Sequence, residues 1–173
     1  MEVFDCIVKR RSVRRYEKQE VSDELLCKLV DAGRWAPSGS NIQPLHYTIV
    51  RTPEQIKKVK AFTPGMSAEV PAVIAVCADL DLAARKGGKL GCETLAVLDA
   101  AMAAQNILLA ATELGLGSCV IRSFNPEAVQ TILKLPETIV PQLLVSIGYA
   151  ARTPKPPRRK EIEAITSWEA YGE

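Results

Sequence analysis

Glu93-Thr94-Leu95-Ala96-Val97-Leu98-Asp99-Ala100-Ala101-Met102-Ala103-Ala104-Gln105-Asn106-Ile107-Leu108-Leu109-Ala110-Ala111-Thr112-Glu113-Leu114 is the longest helical pattern in the chain. Leu95, Leu98, Met102, Ile107, Leu108 and Leu109 are interleaved with alanines. Alanine is the best helix former and lets a neighbouring element approach closely. A helix that is apolar on most sides is buried, either in its own core or against another subunit, and the sequence leaves both readings open. Gly115 and Gly117 end the pattern.

Downstream of that helix, Ser118 to Ile121 reads as a short strand. Asn125-Pro126-Glu127 starts another helix, with Val129, Ile132 and Leu133 inside, and Leu143 to Ile147 is a final strand closed by Gly148-Tyr149. Ala151 to Lys160 is a Pro-rich basic tail, and Glu161 to Trp168 has the pattern of a closing helix. Upstream, Asp79 to Gly91 is polar and Gly-rich, which suggests a mobile connection or lid. Pro71 to Cys77 is a continuous apolar run, as expected of a strand covered on both faces. Thr52-Pro53-Glu54-Gln55 offers a helix start with Pro at the first position and Gln at the capping-box position, with Ile56, Val59 and Phe62 facing inward until Pro64-Gly65 breaks it. Tyr47 to Val50 reads as a strand and Pro37 to Pro44 as a loop. Ser22 caps a helix with Asp23 and Glu24 in its first turn and Leu25, Leu26, Leu29 and Val30 as its stripe. Val3, Phe4, Ile7 and Val8 mark a short first helix. The alternation of helices and strands argues one α/β or α+β layer fold.

The 173 residues are enough for a single domain with a real core. At 47% apolar and 24% charged, the composition excludes disorder beyond short termini. A formal charge of +2 is too weak to call for nucleic acid, and polar groups interrupt every apolar stretch, so a membrane span is not expected. Cys6, Cys27, Cys77, Cys92 and Cys119 form no Cys-x-x-Cys pair and read as small buried hydrophobes. Their odd number, and an N-terminus without a signal pattern, fit a reducing, cytoplasmic setting.

Nucleophile and metal chemistry find little material. His46 is the lone histidine, the cysteines lack zinc spacing, and neither a phosphate-binding P-loop nor a dinucleotide glycine motif is present. No metal is expected. What remains is anion binding. Arg10, Arg11, Arg14 and Arg15 crowd one short segment with Ser12, and Lys155, Arg158, Arg159 and Lys160 form a second basic cluster. Arginine's rigid fork of donors suits phosphate, while a solvated basic face fits the same residues. Ser38, Ser40, Asn41 and Gln43 concentrate neutral donors and acceptors suited to a polar ring edge or polyol, and equally to an ordinary turn.

Taken in order, several segments resemble the nitroreductase family of FMN-dependent oxidoreductases. They are Arg10 to Arg14, Trp35 to Pro44, Asp99 to Ala111, Gly115 to Cys119, Gly148-Tyr149 and the tail with Arg159 and Trp168. The resemblance implies a single α+β domain over residues 1–173: a mostly antiparallel central sheet flanked by helices, with the long central helix at the interface of a homodimer. It implies FMN as cofactor, NADH or NADPH as electron donor, a small-molecule electron acceptor, and no nucleic-acid or membrane partner. Arg10, Arg11 and Ser12 match the segment that holds the FMN phosphate and ribityl chain, and Arg14 a basic position near the flavin N1/C2 carbonyl edge, where it would act electrostatically in catalysis. Pro37, Ser38, Gly39 and Asn41 match a loop that packs on the flavin from the other subunit. Ile121, Arg122 and Ser123 match the strand end whose backbone approaches N5 and O4, and Arg159, with Arg158 beside it, matches a C-terminal basic residue on the phosphate.

The sequence departs from the family pattern at Leu45, where an aromatic residue often stands, at Arg122, where glycine is common, and at Pro157, where a second basic residue often lies. Residues 64–91 also lack the longer helical excursion of larger members. The implied activity is a ping-pong hydride transfer through flavin N5 to a nitro compound, a quinone or a flavin. Flavin reductase or dehalogenase chemistry, flavin fragmentation, a non-catalytic FMN-binding module and a basic interaction protein stand as alternatives.

Overall fold

The computed structural model describes residues 1–66 and 68–172. Its central element is strand β2 (Ala72–Asp79), whose residues from Ala72 to Ala78 are buried without exception. Side chains alternate across a strand, so Ile74 and Val76 enter one core while Val73, Ala75 and Cys77 enter the other. Helices α2 (Asp23–Arg34) and α5 (Ala96–Glu113) cover the first face, with Leu26, Leu29, Ile107 and Ala111 packed on the sheet. Helices α3 (Pro53–Ala61) and α6 (Pro126–Ile132) cover the second through Ile56, Val59 and Val129.

The sheet runs β1-β2-β4-β3, where β1 is Leu45–Val50, β3 Gly117–Ile121 and β4 Ile139–Gly148. Every pairing is antiparallel. This is the expected α+β sheet. Strand β4 carries one extra residue between its pairings to Val76 and Cys77, which places Pro141 at an irregularity, where proline's missing N–H is tolerated.

The element starts were legible and several details were not. Ser22 Oγ accepts from Leu25 N at 3.3 Å and Asn125 Oδ1 from Ala128 N at 3.0 Å, as side-chain caps. Gln55 does not close a capping box; its Nε2 donates instead to the Ile132 carbonyl at 2.7 Å and staples α3 to α6. Phe62 is exposed rather than inward.

The largest correction falls on residues 79–91. In place of a mobile lid there is helix α4 (Leu80–Leu90), capped by Asp79 Oδ1 on Leu82 N at 2.9 Å. Its two glycines concealed it. Gly88 alone departs from helical geometry, at φ 60 and ψ −153, and the chain re-enters a helix through a π turn at Gly91–Leu95. The long helix is therefore regular only from Ala96.

Glu161 to Trp168 is not a helix. Only a short turn forms at Ile162–Ala164, on a tail exposed along its length, because an isolated short segment lacks the packing that stabilises helices. All five cysteines are free. Cys6, Cys77 and Cys119 are buried as expected, whereas Cys27 is exposed and Cys92 half-buried.

The run Leu80–Glu113 is long and apolar enough to cross a membrane by length and composition. Within it, α5 buries eight residues, among them Ala100, Ala104, Ile107 and Ala111, in this domain's own core. The opposite face leaves Val97, Leu98 and Met102 exposed, and Val3, Phe4, Ile7 and Val8 of α1 (Val3–Lys9) are exposed beside it.

Candidate functional site

The basic segment begins where α1 ends. Arg11 turns its Nη1 back to the carbonyls of Val8, at 2.6 Å, and Arg10, at 2.8 Å, so one edge of its guanidinium caps α1. The chain then lies along the outer edge of β3. Val13 N donates to the Ser118 carbonyl at 2.9 Å, and Ser12 bridges Ser118 in parallel. Val13 is 4% exposed and packs on Gly117, where an added Cβ would lie 2.9 Å from three Val13 carbons. Gly117 therefore sets how closely the basic segment approaches the sheet.

Tyr16 locks the other end of this segment. Its hydroxyl donates to the Val13 carbonyl at 2.7 Å and meets Ser146 Oγ at 2.8 Å, and Ser146 Oγ reaches the Cys119 carbonyl at 3.3 Å. Burial pushes the Tyr16 phenol pKa up. Arg14, carried between Val13 and Tyr16, opens on a narrow cleft that it lines with Tyr16, Met66, Cys119 and Ile121. Arg122 and Ser123 follow at the exposed end of β3. The Arg122 guanidinium lies 5.4 Å from the Phe124 ring centroid, and the Ser123 carbonyl accepts from Gly65 N at 3.1 Å.

The two ends of the chain meet at this segment. Glu17 N donates to the Tyr149 carbonyl at 2.9 Å and Ala151 N to the Arg15 carbonyl at 3.1 Å. Arg158 and Arg159 lie further along the exposed tail and make no hydrogen bond or ion pair with the described residues. Arg10, Arg14 and Arg122 likewise have no carboxylate within ion-pair distance among the described residues. Donors left free in this way suit an anion that the chain itself does not supply.

The polar loop is a separate construction. Ser38 Oγ accepts from Gln43 N at 3.0 Å, the Ser38 carbonyl from Asn41 N at 2.9 Å, and the Gly39 carbonyl from Ile42 N at 3.0 Å. Ser40, Asn41 and Gln43 take positive φ values of 49, 53 and 55. Ile42 and Pro44 are buried, which turns Ser40, Asn41 and Gln43 outward, with Pro37 exposed at the loop's start. Gly39 N donates to Asp99 Oδ1 at 3.0 Å, on the first turn of α5.

Loop and basic segment are thus tied to opposite ends of α5, the segment through β3 just beyond the last turn. A helix of 18 residues is about 27 Å long.

The arginines and the loop stand out in the sequence by residue type, whereas the Tyr16–Ser146 clamp and the Asp99 anchor do not. Only Asp99 left a signal, as the lone charge between Ala96 and Thr112. His46 is exposed on β1, and no group of three or more possible metal ligands exists among the described residues.

The fold is an α+β domain with unpaired arginines beside a narrow cleft, and comparison with known proteins fixes the family. Residues 7–73 and 60–149 match the model of the nitroreductase family. A relative in Archaeoglobus fulgidus, provisionally named NADH dehydrogenase/NAD(P)H nitroreductase, is 39% identical over 154 residues, 86% of this chain and 85% of the relative. An FMN reductase [NAD(P)H] of Bacillus subtilis is 30% identical over 186 residues, 98% of this chain and 74% of the reductase. The crystal structure of a nitroreductase family protein from Clostridium difficile 630 superimposes with a TM-score of 0.84 at 30% identity, covering 98% of this chain and 99% of that one. The chain belongs to the nitroreductase family and is an NAD(P)H-dependent oxidoreductase.

Proposed function

We propose that the chain is an FMN enzyme that passes hydride from NADH or NADPH to a small organic acceptor, a nitro compound, quinone or flavin, in a ping-pong cycle, as a homodimer with shared sites. One observation carries the reading. Arg14 and Ile121, matched to two edges of one flavin, line the same narrow cleft, and Arg10 and Arg14 have no carboxylate within ion-pair distance among the described residues.

When bound, FMN supplies the two-electron hydride chemistry that no side chain here offers. Arg10, Ser12 and the free donors of Arg11 hold its phosphate and ribityl chain, and Arg158 and Arg159 close on the phosphate from the tail. Arg14 places a positive charge at the N1/C2 edge, where charge develops on reduction; donors so placed are typically worth about 3 kcal/mol. Ile121, Arg122 and Ser123 border the N5 and O4 edge. The Arg122 side chain rests on Phe124, which supports an N5 edge left open where glycine is common in the family.

Pro37, Ser38, Gly39 and Asn41 pack on the flavin of the second copy. The separation of loop and basic segment along α5 supports that sharing, and the exposed Val97, Leu98 and Met102 support an apolar contact between copies. The same reading takes the protein as cytoplasmic, without membrane or nucleic-acid partners.

The test is the visible spectrum of the purified protein before and after NADH or NADPH. A yellow protein that bleaches and recovers with a quinone supports the proposal. A protein that cannot be loaded with FMN refutes it, and one that loads but stays yellow is a binding module.

A further inference from the structure

The inner face of α5 carries a carboxylate that touches none of the residues assigned to hydride transfer. Asp99 is 1% exposed, the one polar residue among the eight that α5 buries, and no cation lies within ion-pair distance of it among the described residues. An unpaired buried charge is costly, and an apolar residue of similar volume commonly packs as well or better. Asp99 Oδ1 makes one hydrogen bond to another element, accepting from Gly39 N at 3.0 Å.

The loop receiving that bond needs an external hold. Ser40, Asn41 and Gln43 occupy the left-handed region that side-chain-bearing residues rarely adopt, and such geometry persists only when the surroundings over-determine it. The bonds from Ser38 to Gln43 and Asn41, and from Gly39 to Ile42, all lie inside the loop. The Asp99 bond is the one that ties its backbone to α5. Gly39 fits there because it has no side chain; an added Cβ would come within 2.7 Å of Leu95 Cδ1.

We infer that Asp99 is a positioning residue for flavin recognition, holding the Gly39 amide so that Ser38 to Gln43 keeps the left-handed shape that turns Asn41 outward. This rests on the FMN reading. The test compares the parent with Asp99→Leu, which removes the acceptor and the buried charge at similar volume, and with Asp99→Asn, which keeps an acceptor oxygen. Flavin fluorescence titration gives FMN affinity, the bound-flavin absorption reports the ring's surroundings, and thermal unfolding of the flavin-free protein gives stability.

In Asp99→Leu the relief of the buried charge offsets the orphaned Gly39 amide, so stability should stay close to the parent's, while FMN binds about tenfold more weakly and the flavin spectrum shifts toward that of free FMN. Asp99→Asn should bind within about threefold of the parent. The inference is overturned if the Leu variant binds like the parent, if its affinity falls only together with stability or folding, or if the Asn variant binds as weakly as the Leu variant. A parent that takes up no FMN sinks the flavin reading itself, and this inference with it.

Discussion

Replacing Tyr16 by Phe removes one oxygen from the clamp that holds Arg14, and its consequences can be counted. Ser146 Oγ keeps the Cys119 carbonyl as an acceptor at 3.3 Å and stays satisfied. The Val13 carbonyl loses its 2.7 Å donor within a segment packed against β3. The ring itself stays, so packing changes little. One orphaned buried acceptor costs about 1–3 kcal/mol, a sizeable part of the ~5–15 kcal/mol that a domain has in total. At about 2–4 °C per kcal/mol for a domain of this size, a loss of ~2 kcal/mol lowers the melting temperature by roughly 4–8 °C. In urea the midpoint should fall with an unchanged m-value, because the surface exposed on unfolding is the same. Tyr16→Phe and Ser146→Ala should be non-additive, since both break one network. A Tyr16→Phe variant that melts within about 1 °C of the parent would refute the clamp, because an orphaned Val13 carbonyl cannot be that cheap.

Arg14→Ala should retain FMN but slow its reduction by NAD(P)H in stopped-flow measurements by at least about tenfold, a modest share of what one well-placed donor contributes; equal rates would remove Arg14 from the reaction. Arg10→Ala combined with Arg159→Ala should purify largely colourless, and a fully yellow double variant would reject the phosphate assignment. Gly117→Ala should cost about 1–3 kcal/mol by overpacking and weaken FMN binding by lifting Val13 off β3, both read by denaturation and fluorescence titration. Burial raises the Cys77 thiol from 9.0 to about 12 and the Tyr47 phenol from 10.0 to about 12. The unfolded chain therefore releases protons that the native state holds, and stability should fall as pH rises from about 9 toward 12. In Cys77→Ala the slope between pH 9 and 10, measured by urea midpoints, should flatten.

The parts of the fold written in local chemistry were readable. Ser22 and Asn125 announce helix starts by side chains that bond the next turn, and the unbroken apolar run at β2 announces a strand covered twice. Features depending on distant partners were not. Gln55 spends its amide on Ile132 in another helix, which no local pattern foretells. Gly87 and Gly88 made α4 look like a loop, because glycine's low helix propensity is visible in sequence whereas the contact of α4 with Ile42 that offsets it is not. The arginine cluster and polar loop stood out by residue type. Tyr16 and Ser146, far apart in the chain, become one device only through the Tyr16–Ala150 pairing.

Under the proposed FMN reading, helix α5 would divide one copy of this chain into two half-sites. Its first turn holds the polar loop through Asp99, and the strand that follows its last turn holds the basic segment through Ser118. A helix is stiff, and the 14 residues that follow Asp99 to the end of α5 at Glu113 span about 21 Å, a length that side-chain movement does not close. A ligand that needs both must take one from each of two copies, and the face of α5 between the anchors carries the exposed Val97, Leu98 and Met102 that such a pairing would cover. FMN binding and self-association should then be a single linked equilibrium: added FMN shifts the flavin-free protein toward dimer, and dilution below the dimer's dissociation constant releases flavin. Sedimentation of loaded and stripped protein across a dilution series measures both. A monomer that keeps its FMN at full affinity would show that the two half-sites are not shared.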